Sequence, residues 1–145
     1  MNQLQQSLYK ESQLIINNDN IDMTSRDPDE IDNWVKTIGD KINVRITIID
    51  KEGIVLADSI SNPENMDNHS NRPEIKNVLM GEESSSITRK SDTLNKKMFY
   101  LATPYKDGGE IIGVVRLSKS LSDINTVIKQ NLRSFLIFIV IILIF

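Results

Sequence analysis

Residues 44–58 read VRITIIDKEGIVLAD, in which two β-branched runs flank a short polar turn. Valine, isoleucine and threonine favour extended backbone, and the Lys-Glu-Gly tripeptide between the runs has the composition of a tight turn. The pattern predicts two strands, over 44–50 and 54–58, that pair as a β-hairpin. A β-sheet therefore begins at this point of the chain.

Three more strands are predicted further along the chain, at 84–91, 96–105 and 110–118. A polar loop over 59–71 and a short helix over 73–80 separate them from the hairpin, and this helix begins at a proline and ends before Gly81. The last two strands are joined by an Asp-Gly-Gly turn. Five strands without long crossover connections imply a mainly antiparallel sheet.

A first helix is predicted over 3–17. Its surface is polar except for a narrow stripe at helical spacing, formed by Leu4, Leu8 and Ile15. A stripe of this kind needs a partner surface. Two interpretations are open: the stripe packs on the domain itself, or it forms the contact between two copies of the chain, in which case these residues are a homodimer interface.

A second helix is predicted to begin at Pro28, with Asp27 as its cap and Glu30 in the position that completes a capping box. Apolar residues then recur at helical spacing, which indicates a core-facing surface. Helices that precede and interrupt the strands of an antiparallel sheet predict an α+β layer arrangement with a covered face.

The C-terminal part of the chain reads as one helix that becomes wholly apolar. Ser120 or Ser122 can cap it, and residues 135–145 read FLIFIVIILIF. Because a bilayer-spanning helix needs about 20 apolar residues, we interpret this run as the start of a transmembrane helix, preceded by a juxtamembrane helix at 122–134. The alternative is an element buried in the domain's own core. At the other end, a membrane helix ahead of Met1 and anchoring by the C-terminal end alone are both open.

The composition excludes several classes of function. A formal net charge of -3 provides no basic surface, so no nucleic-acid partner is expected. The chain contains no cysteine and a single histidine, which leaves no thiolate nucleophile and no metal site with two histidine ligands in one chain. Without a phosphate-binding glycine loop or a catalytic motif, we expect neither a cofactor nor enzymatic activity from this chain.

Four segments within 44–121 occur in an order that resembles the extracytoplasmic sensor domains of bacterial histidine kinases of the PhoR and WalK type. The segments are VRITIIDKEGIVLADS, NHSNRPEIKNVLMGEESSSITR, KKMFYLATPY and GGEIIGVVRLSKSL. These sensors belong to the PAS-like class called PDC or Cache. The resemblance implies a five-stranded antiparallel sheet in the order 2-1-5-4-3, a long N-terminal helix, and a position outside the bacterial cell membrane.

The resemblance also implies a function. Residues 1–121, with a core at 28–121, would be the signal-input domain of a phosphate-regulon PhoR-like kinase, whose cytoplasmic part would lie beyond this chain and act on a response regulator. Two alternatives remain: the same module on a chemoreceptor or a cyclic-dinucleotide enzyme, and a ligand-free module that binds a protein or a cell-envelope component. A polar cavity of about 300 Å³ or more would favour a small ligand.

A ligand of such a sensor would lie between the sheet and the lid at 59–80. The Arg-Pro-Glu-Ile sequence that begins at Arg72 resembles the Arg-Pro-Tyr-Phe element of Cache domains, whose arginine contacts an acidic ligand. A guanidinium group suits a small anion such as a carboxylate. Glu74 departs from the element and weakens this inference because it adds a negative charge. The alternative is that Arg72 pairs with Glu74, Asp67 or a carbonyl group.

Three further residues are candidates for the same site. His69 has a reference pKa near 6.5, so it could report pH, or it could be an exposed loop residue. Tyr100 and Thr103 lie on a predicted strand that could face the pocket, and ordinary sheet packing is their alternative role. The remaining strand arginines are interpreted as members of cross-strand pairs or as solvent-facing residues, namely Arg45, Arg89 and Arg116.

Overall fold

The computed structural model describes residues 2–18, 28–92 and 94–144. Its helices are α1 (Gln3–Ile16), α2 (Pro28–Ile42), α3 (Pro73–Leu79) and α4 (Leu121–Ile144). Its strands are β1 (Arg45–Asp50), β2 (Val55–Asp58), β3 (Ser85–Lys90), β4 (Lys97–Asp107) and β5 (Glu110–Ser120). The helix predicted to begin at Pro28 does so, whereas its predicted cap, Asp27, lies outside the described residues.

The five strands form one sheet in the order β2-β1-β5-β4-β3, and all neighbouring strands run antiparallel. The predicted α+β fold and its strand order are therefore confirmed. β4 and β5 have 11 residues each and extend beyond their predicted bounds. Their pairing continues to the turn at Gly108 and Gly109, whose positive φ angles of 55° and 90° favour glycine.

One face of the sheet, the helix face, is covered by α1 and α2. α1 contacts β4 and β5, and α2 contacts β1 and β2. Burial of each valine, leucine, isoleucine or phenylalanine side chain in this layer contributes roughly 1.5–3 kcal/mol. The buried residues of this core are Leu8, Ile15, Ile31, Val35, Val44, Ile46, Ile48, Ala57, Phe99, Leu101, Val115 and Leu117.

The apolar stripe of α1 lies in this core. Leu8 and Ile15 are buried, and Leu4 packs against the cluster. The stripe therefore packs on its own domain, which was the first of its two interpretations. The buried side chains of Leu8 and Ile15 leave no surface for a second copy, so a homodimer formed through α1 would use the other sides of this helix. Pairing of two copies stays a prediction.

The other face of the sheet, the lid face, is covered in part by the lid at 59–80. The lid contains a short 3-10 helix at Pro63–Asn65 and α3. Beneath α3 lies a second, smaller apolar cluster, whose buried members are Ile49, Val55, Ile75, Val78, Ala102 and Val114. The part of the lid face beside this cluster is polar, and it holds the candidate site.

The hairpin turn between β1 and β2 anchors the lid. Gly53 has a positive φ of 87°, and its backbone carbonyl accepts a hydrogen bond of 2.7 Å from the backbone N–H of His69. A Cβ atom added at Gly53 would come within 2.6 Å of Asn68 Oδ1. Asn68 in turn donates from its side-chain amide to the carbonyl of Glu52 over 2.9 Å. The turn therefore requires glycine for both its conformation and its close approach to the lid.

α4 follows β5 directly, because Ser120 ends the strand and Leu121 begins the helix. The helix is continuous to Ile144, as predicted for a single C-terminal helix. Exposed apolar side chains along it contradict the alternative of an element buried in the domain's own core; they are Ile128, Leu132, Phe135, Leu136, Ile137, Ile139, Ile141 and Ile142.

A helix that spans a membrane must be both long and apolar. Over the described ranges, no helix is both long enough and apolar enough to cross a bilayer. Phe145, the last residue of the predicted membrane run, lies outside the described residues.

Candidate ligand-binding site on the lid face

Strand alternation brings several polar side chains together on the lid face. In β1, Arg45 and Thr47 alternate with two isoleucines that belong to the helix-face core. Directly opposite residues of paired strands share a face. Arg45 lies opposite Ser118 of β5, Thr47 lies opposite Arg116, and Ser118 lies opposite Tyr100 of β4. The central strands thus carry a polar patch where the smaller apolar cluster ends.

Asp58, at the end of β2, is fully buried and saturated with hydrogen bonds. Nε of Arg45 donates to its two carboxylate oxygens over 3.1 and 3.0 Å, and Thr47 Oγ1 donates to one of them over 2.8 Å. The backbone N–H groups of Ile60 and Ser61 donate over 3.0 and 2.9 Å. This carboxylate is a structural partner of Arg45 and joins the start of the lid to β1.

Glu74 of α3 is a second fully buried carboxylate. Its Oε1 atom lies 3.3 Å from Arg89 Nη2 on β3 and 3.3 Å from Arg116 Nη1 on β5. Arg116 also donates from Nη2 to Thr47 Oγ1 over 3.4 Å. Burial lowers the pKa of Arg116, and the negative charge of Glu74 opposes that shift. Glu74 therefore links the lid electrostatically to two strands.

Tyr100 lies within reach of both arginines that contact Glu74. The Cζ atom of Arg89 is 4.3 Å from the centroid of the tyrosine ring, and that of Arg116 is 5.0 Å away. Both distances are within the range of cation–π attraction. The ring is buried and lines a small cavity in the cluster. Tyr100, a predicted candidate, thus faces the site.

His69 is buried, with 5% of its surface exposed. Its pKa is lowered from 6.5 to about 3, first by burial and then by the positive charges of Arg116, Arg72, Arg89 and Arg45. The imidazole is therefore neutral in the physiological pH range. Both predictions for its role, an exposed loop residue and a reporter of pH near 6.5, are wrong. His69 instead offers a neutral polar ring to the cluster.

Arg72 lies at the outer edge of the cluster and is partly exposed. Its Nη2 atom is 2.9 Å from Oδ2 of Asp92, a residue whose side chain is largely exposed. Arg72 therefore pairs with a carboxylate, as the alternative predicted, but this partner is Asp92 and not Glu74 or Asp67. Glu74 is held by arginines on the strands instead. The exposed Arg72–Asp92 pair contributes little to stability, so it can open at small cost.

Two cavities meet at His69, Arg72 and Asp92. The inner cavity, between the buried arginines and Tyr100, has a volume of about 10 Å³, which is room for about one water molecule. The outer cavity has a volume of about 500 Å³ and is lined by lid residues between 61 and 67. Most of those lid side chains are polar. The Arg72–Asp92 pair borders both cavities.

Among the residues that the structure describes, several buried polar atoms of the cluster have no hydrogen-bond partner. They are Nδ1 of His69, Oε2 of Glu74, Oγ of Ser118, and the Nε atoms of Arg89 and Arg116. Buried polar atoms are almost always hydrogen-bonded, so such atoms mark places where water or a ligand can bind. The unpartnered set contains two donors on cationic groups and one acceptor on an anionic group. It can bind a small polar molecule that carries both an acceptor and a donor.

Thr103 is not brought to this cluster. It is fully buried, its Oγ1 donates to the carbonyl of Val115 over 3.2 Å, and its strand partner Val115 belongs to the helix-face core. Thr103 and Tyr100 are an odd number of residues apart along β4. Strand alternation therefore places their side chains on opposite faces of the sheet. The expectation that both residues face one pocket holds for Tyr100 alone.

Sequence reasoning missed the buried strand arginines. Arg45 and Arg116 are almost fully buried, so the prediction that such arginines could face solvent is wrong for both. Arg45 does form the predicted cross-strand pair, with Asp58 of β2, whereas Arg116 and Arg89 pair with Glu74 of α3. One signal was available: Arg116 interrupts the apolar stretch at 111–117, where strand alternation requires a buried position.

The cluster contains groups that can form hydrogen bonds to an anion. In the part of the chain that the structure describes, no three histidine, aspartate or glutamate side chains are grouped so that they could hold a metal ion. The available groups are the guanidinium groups of four arginines, the carboxylates of Asp58, Glu74 and Asp92 that pair with them, a neutral imidazole and a tyrosine ring. Guanidinium groups bind carboxylate or phosphate oxygens through paired N–H donors.

The sequence matches the family described as Single Cache-like over residues 1–120, and the chain belongs to that family. A Cache-like domain is a sensor domain, so this chain is a sensory module and not a catalytic one. Cache domains of this type are extracytoplasmic sensor domains of membrane proteins, including histidine kinases and chemoreceptors. No curated protein matches the chain at the sequence level.

Solved structures with the same fold come from both kinds of receptor. The sensor domain of the V. cholerae histidine kinase DctB is 24% identical, with a TM-score of 0.58 over 66% of this chain and 38% of that chain. The E. coli DcuS sensor domain is 18% identical, with a TM-score of 0.59 over 70% of this chain and 76% of that chain.

A chemoreceptor domain is similar over a larger part of the chain. The ligand-binding domain of P. fluorescens CtaA, in complex with L-serine, is 18% identical, with a TM-score of 0.64 over 83% of this chain and 54% of that chain. The chain thus spans about half of the CtaA domain and less than half of the DctB domain. At these identities the similarity establishes the fold.

Proposed function

We propose that this chain is the extracytoplasmic signal-input domain of a membrane-bound sensor histidine kinase of the PhoR-like type. The order of four sequence segments within 44–121 supports the kinase assignment, and membership of the Single Cache-like family supports the sensory role. The kinase would act on a cytoplasmic response regulator. The same domain on a chemoreceptor or on a cyclic-dinucleotide enzyme is the alternative that the experiments below distinguish.

The signal is proposed to be a small molecule that carries a carboxylate. The observation that carries this proposal is the pair formed by the buried Arg116 and the half-buried Arg89, whose Nε atoms have no partner among the described residues and lie beside an outer cavity of about 500 Å³. A polar cavity of this size favours a small ligand over a ligand-free interaction module. The CtaA domain was solved with L-serine, a small molecule with one carboxylate, and the present cluster suits the same kind of group.

Entry of the ligand would require the lid edge to open. The inner cavity has room for about one water molecule, so a carboxylate that reaches Arg116 must first separate Arg72 from Asp92. Arg72 and His69 would then contact the ligand from the lid, and Arg116 and Tyr100 would contact it from the sheet. Binding would thereby connect the lid to β5.

The bound state is proposed to reach the membrane through β5 and α4. β5 carries Arg116 and continues without a connecting loop into α4. The apolar run at 135–145 supports the proposal that α4 enters the membrane. Two copies of the chain would pair through their α4 helices in the membrane. A displacement of β5 would then change how these two helices pack against each other. A coupling free energy of roughly 1–3 kcal/mol is sufficient to change activity several-fold.

A substitution of Arg116 tests the ligand site. Arg116→Lys keeps the positive charge beside Glu74 and loses the forked pair of donors, so we expect about tenfold weaker binding of carboxylates. The measurement is thermal unfolding of the 145-residue chain in mild detergent, titrated with small carboxylates that include L-serine and succinate. A carboxylate that binds raises the unfolding temperature of the unsubstituted chain, and this rise shrinks in the variant.

The matched control is Arg133→Lys, the same chemical change at an exposed position of α4. It should leave every titration unchanged. The ligand proposal is wrong if no carboxylate stabilises the unsubstituted chain, or if Arg116→Lys binds as well as that chain. The output class is tested separately in membranes that contain the whole receptor: acid-labile phosphate on histidine identifies a kinase, and its absence supports a chemoreceptor or a cyclic-dinucleotide enzyme.

A further inference from the structure

We propose that Glu74 is a specificity-determining residue: its carboxylate occupies, among the arginines of the site, the place of one ligand carboxylate. The site would therefore accept ligands with a single carboxylate and discriminate against dicarboxylates. This inference rests on the proposed ligand site and adds the class of ligand. It is carried by the position, the partners and the charge of one fully buried side chain.

The geometry of Glu74 is that of a bound anion. Oε1 lies 3.3 Å from an Nη atom of both Arg89 and Arg116, so one oxygen bridges guanidinium groups from two different strands. Both arginines also lie against the ring of Tyr100. A free carboxylate in the site would meet the same two guanidinium groups. Glu74 brings this group from α3 and remains covalently attached to the lid.

The buried charges of the cluster leave one positive charge for a ligand. Arg45 is neutralised by Asp58, and Arg72 lies at the partly exposed edge of the cluster, where water screens its charge. Arg89 and Arg116 together face the single negative charge of Glu74. Because a buried charge is costly unless it is paired, the remaining positive charge favours one anionic group and disfavours a second one.

The unpartnered atoms indicate what else the ligand carries. The Nε atoms of Arg89 and Arg116 can donate to a carboxylate that enters from the outer cavity. Oε2 of Glu74 can accept a hydrogen bond, and Nδ1 of His69 is a second polar atom without a partner. A hydrogen-bond donor next to the carboxylate of the ligand would supply a partner for Oε2 of Glu74. The favoured class is therefore a small molecule with one carboxylate and an adjacent amino or hydroxyl group.

The first test removes the internal carboxylate and supplies a free one. Glu74→Ala leaves the buried guanidinium group of Arg116 and the half-buried one of Arg89 without their anion, so the variant should unfold at a lower temperature than the unsubstituted chain. Acetate should then raise its unfolding temperature by a few degrees, since acetate can occupy the vacated place. Acetamide, which has the same shape without the charge, should have no such effect. The probes are added to the 145-residue chain in mild detergent.

Ile75→Ala is the matched control for this test. It truncates the neighbouring, equally buried residue of α3 and leaves an apolar cavity in place of a charged one. Acetate should not stabilise this variant. Stabilisation of Glu74→Ala by acetate and acetamide alike, or of both variants by acetate, would overturn the proposal because cavity filling would then explain the effect.

The second test keeps the volume of the side chain and also applies if Glu74→Ala does not fold. Glu74→Gln removes the negative charge, so the arginines gain capacity for a second carboxylate. Succinate, which differs from propionate by one additional carboxylate, should bind this variant about tenfold or more tightly than it binds the unsubstituted chain. The affinity for propionate should increase less. An equal change for the two probes, or no change for succinate, contradicts the proposed role.

The two proposals fail in different ways. If the domain has no natural carboxylate ligand, the unsubstituted chain will respond to no carboxylate, yet Glu74→Ala will still bind acetate. If Glu74 has only a structural role, the unsubstituted chain will bind carboxylates, and the preference between propionate and succinate will be the same in Glu74→Gln.

Discussion

Arg116 shows why buried charge in this domain indicates function more than stability. Its guanidinium is almost fully buried, and its pKa is lowered by that burial. Removing a charge from water costs several kcal/mol, and the attraction to Glu74 only offsets that cost. A leucine at this position would pack against the sheet without such a cost. An arginine at this position is therefore consistent with a role in binding an anion.

His69 gives a prediction for the pH dependence of stability. Its pKa is about 3 in the folded chain and near 6.5 when unfolded, so below pH 6.5 the unfolded chain binds a proton that the folded chain does not. The contribution of His69 to the free energy of unfolding is therefore complete above pH 6.5 and decreases as the pH falls toward 3. Between pH 7 and pH 5 we expect a loss of about 2 kcal/mol in the free energy of unfolding.

The measurement is urea unfolding at both pH values, for the unsubstituted chain and for His69→Gln. The chain has one histidine, so the difference between the two chains belongs to that residue alone. The variant should lose less stability on acidification. An identical pH dependence in both chains, or a titration of His69 near pH 6.5 by NMR, would contradict the buried, neutral state.

The partners of the site residues could be predicted only in part. Arg72 and Tyr100 were identified because a motif and an aromatic strand pointed to them. The pairing of Glu74 with Arg89 and Arg116 joins residues that are distant in sequence, and it depends on how α3 lies over the sheet. Periodicity along one element contains no information on that packing.

At the scale of the elements, the lid depends on the hairpin turn beneath it. The substitution Gly53→Ala places a Cβ atom on a residue with a positive φ angle and within 2.6 Å of Asn68 Oδ1. A conformational cost and a steric cost therefore add. We expect a loss of about 1–3 kcal/mol in the free energy of unfolding. Urea unfolding measures this loss, and faster proteolysis of the segment at 59–72 would show that the lid loosens.

Gly109→Ala is the matched control for that substitution. Gly109 has a positive φ of 90°, close to that of Gly53, and an added Cβ atom would meet nothing within 4 Å. It therefore carries the conformational cost alone. Equal losses in both variants, with the same proteolysis of the lid, would mean that the close approach at Gly53 contributes nothing.

The elements themselves could be predicted better than their partners. Proline, glycine and β-branched runs mark local conformational preferences, and these gave the helices, the strands and the antiparallel arrangement. The predicted strands β4 and β5 were too short. Hydrogen bonds between the two strands continue past the residues whose own sequence favours the β conformation. The stripe of α1 could not be assigned to a surface, since a narrow apolar stripe suits a domain core and a second copy equally.

Across the whole molecule, the candidate site and the C-terminal helix are connected through one strand. Arg116 lies four residues before the end of β5, and α4 starts at the next residue after that end. In the proposed mechanism, a change in the site would act on the helix through extended backbone, which is stiff along its length. The proposed transmission depends on α4 remaining helical up to the membrane.

Insertion of two glycines after Lys129 tests that requirement in the whole receptor. Glycine costs about 1 kcal/mol per residue in a helix interior, so the insertion weakens α4 at one place and leaves the site untouched. We expect ligand binding to be retained and the response of the output to the stimulus to be lost. An insertion of two alanines is the control for added length without weakening. An unchanged response with the glycine insertion would refute transmission along a rigid helix.

The direct junction of Ser120 and Leu121 also fixes the angular orientation of α4. An α-helix turns by about 100° per residue, so each residue added or removed at this junction would point a different side of the helix toward any neighbour. The register of β5 in the sheet thus determines the azimuth at which α4 leaves the domain. A change in the length of the lid would leave the orientation of α4 unaltered, whereas a change in length between Arg116 and Leu121 would rotate it. Homologous receptors in which α4 has the same orientation should therefore vary in lid length far more than in the length of this junction.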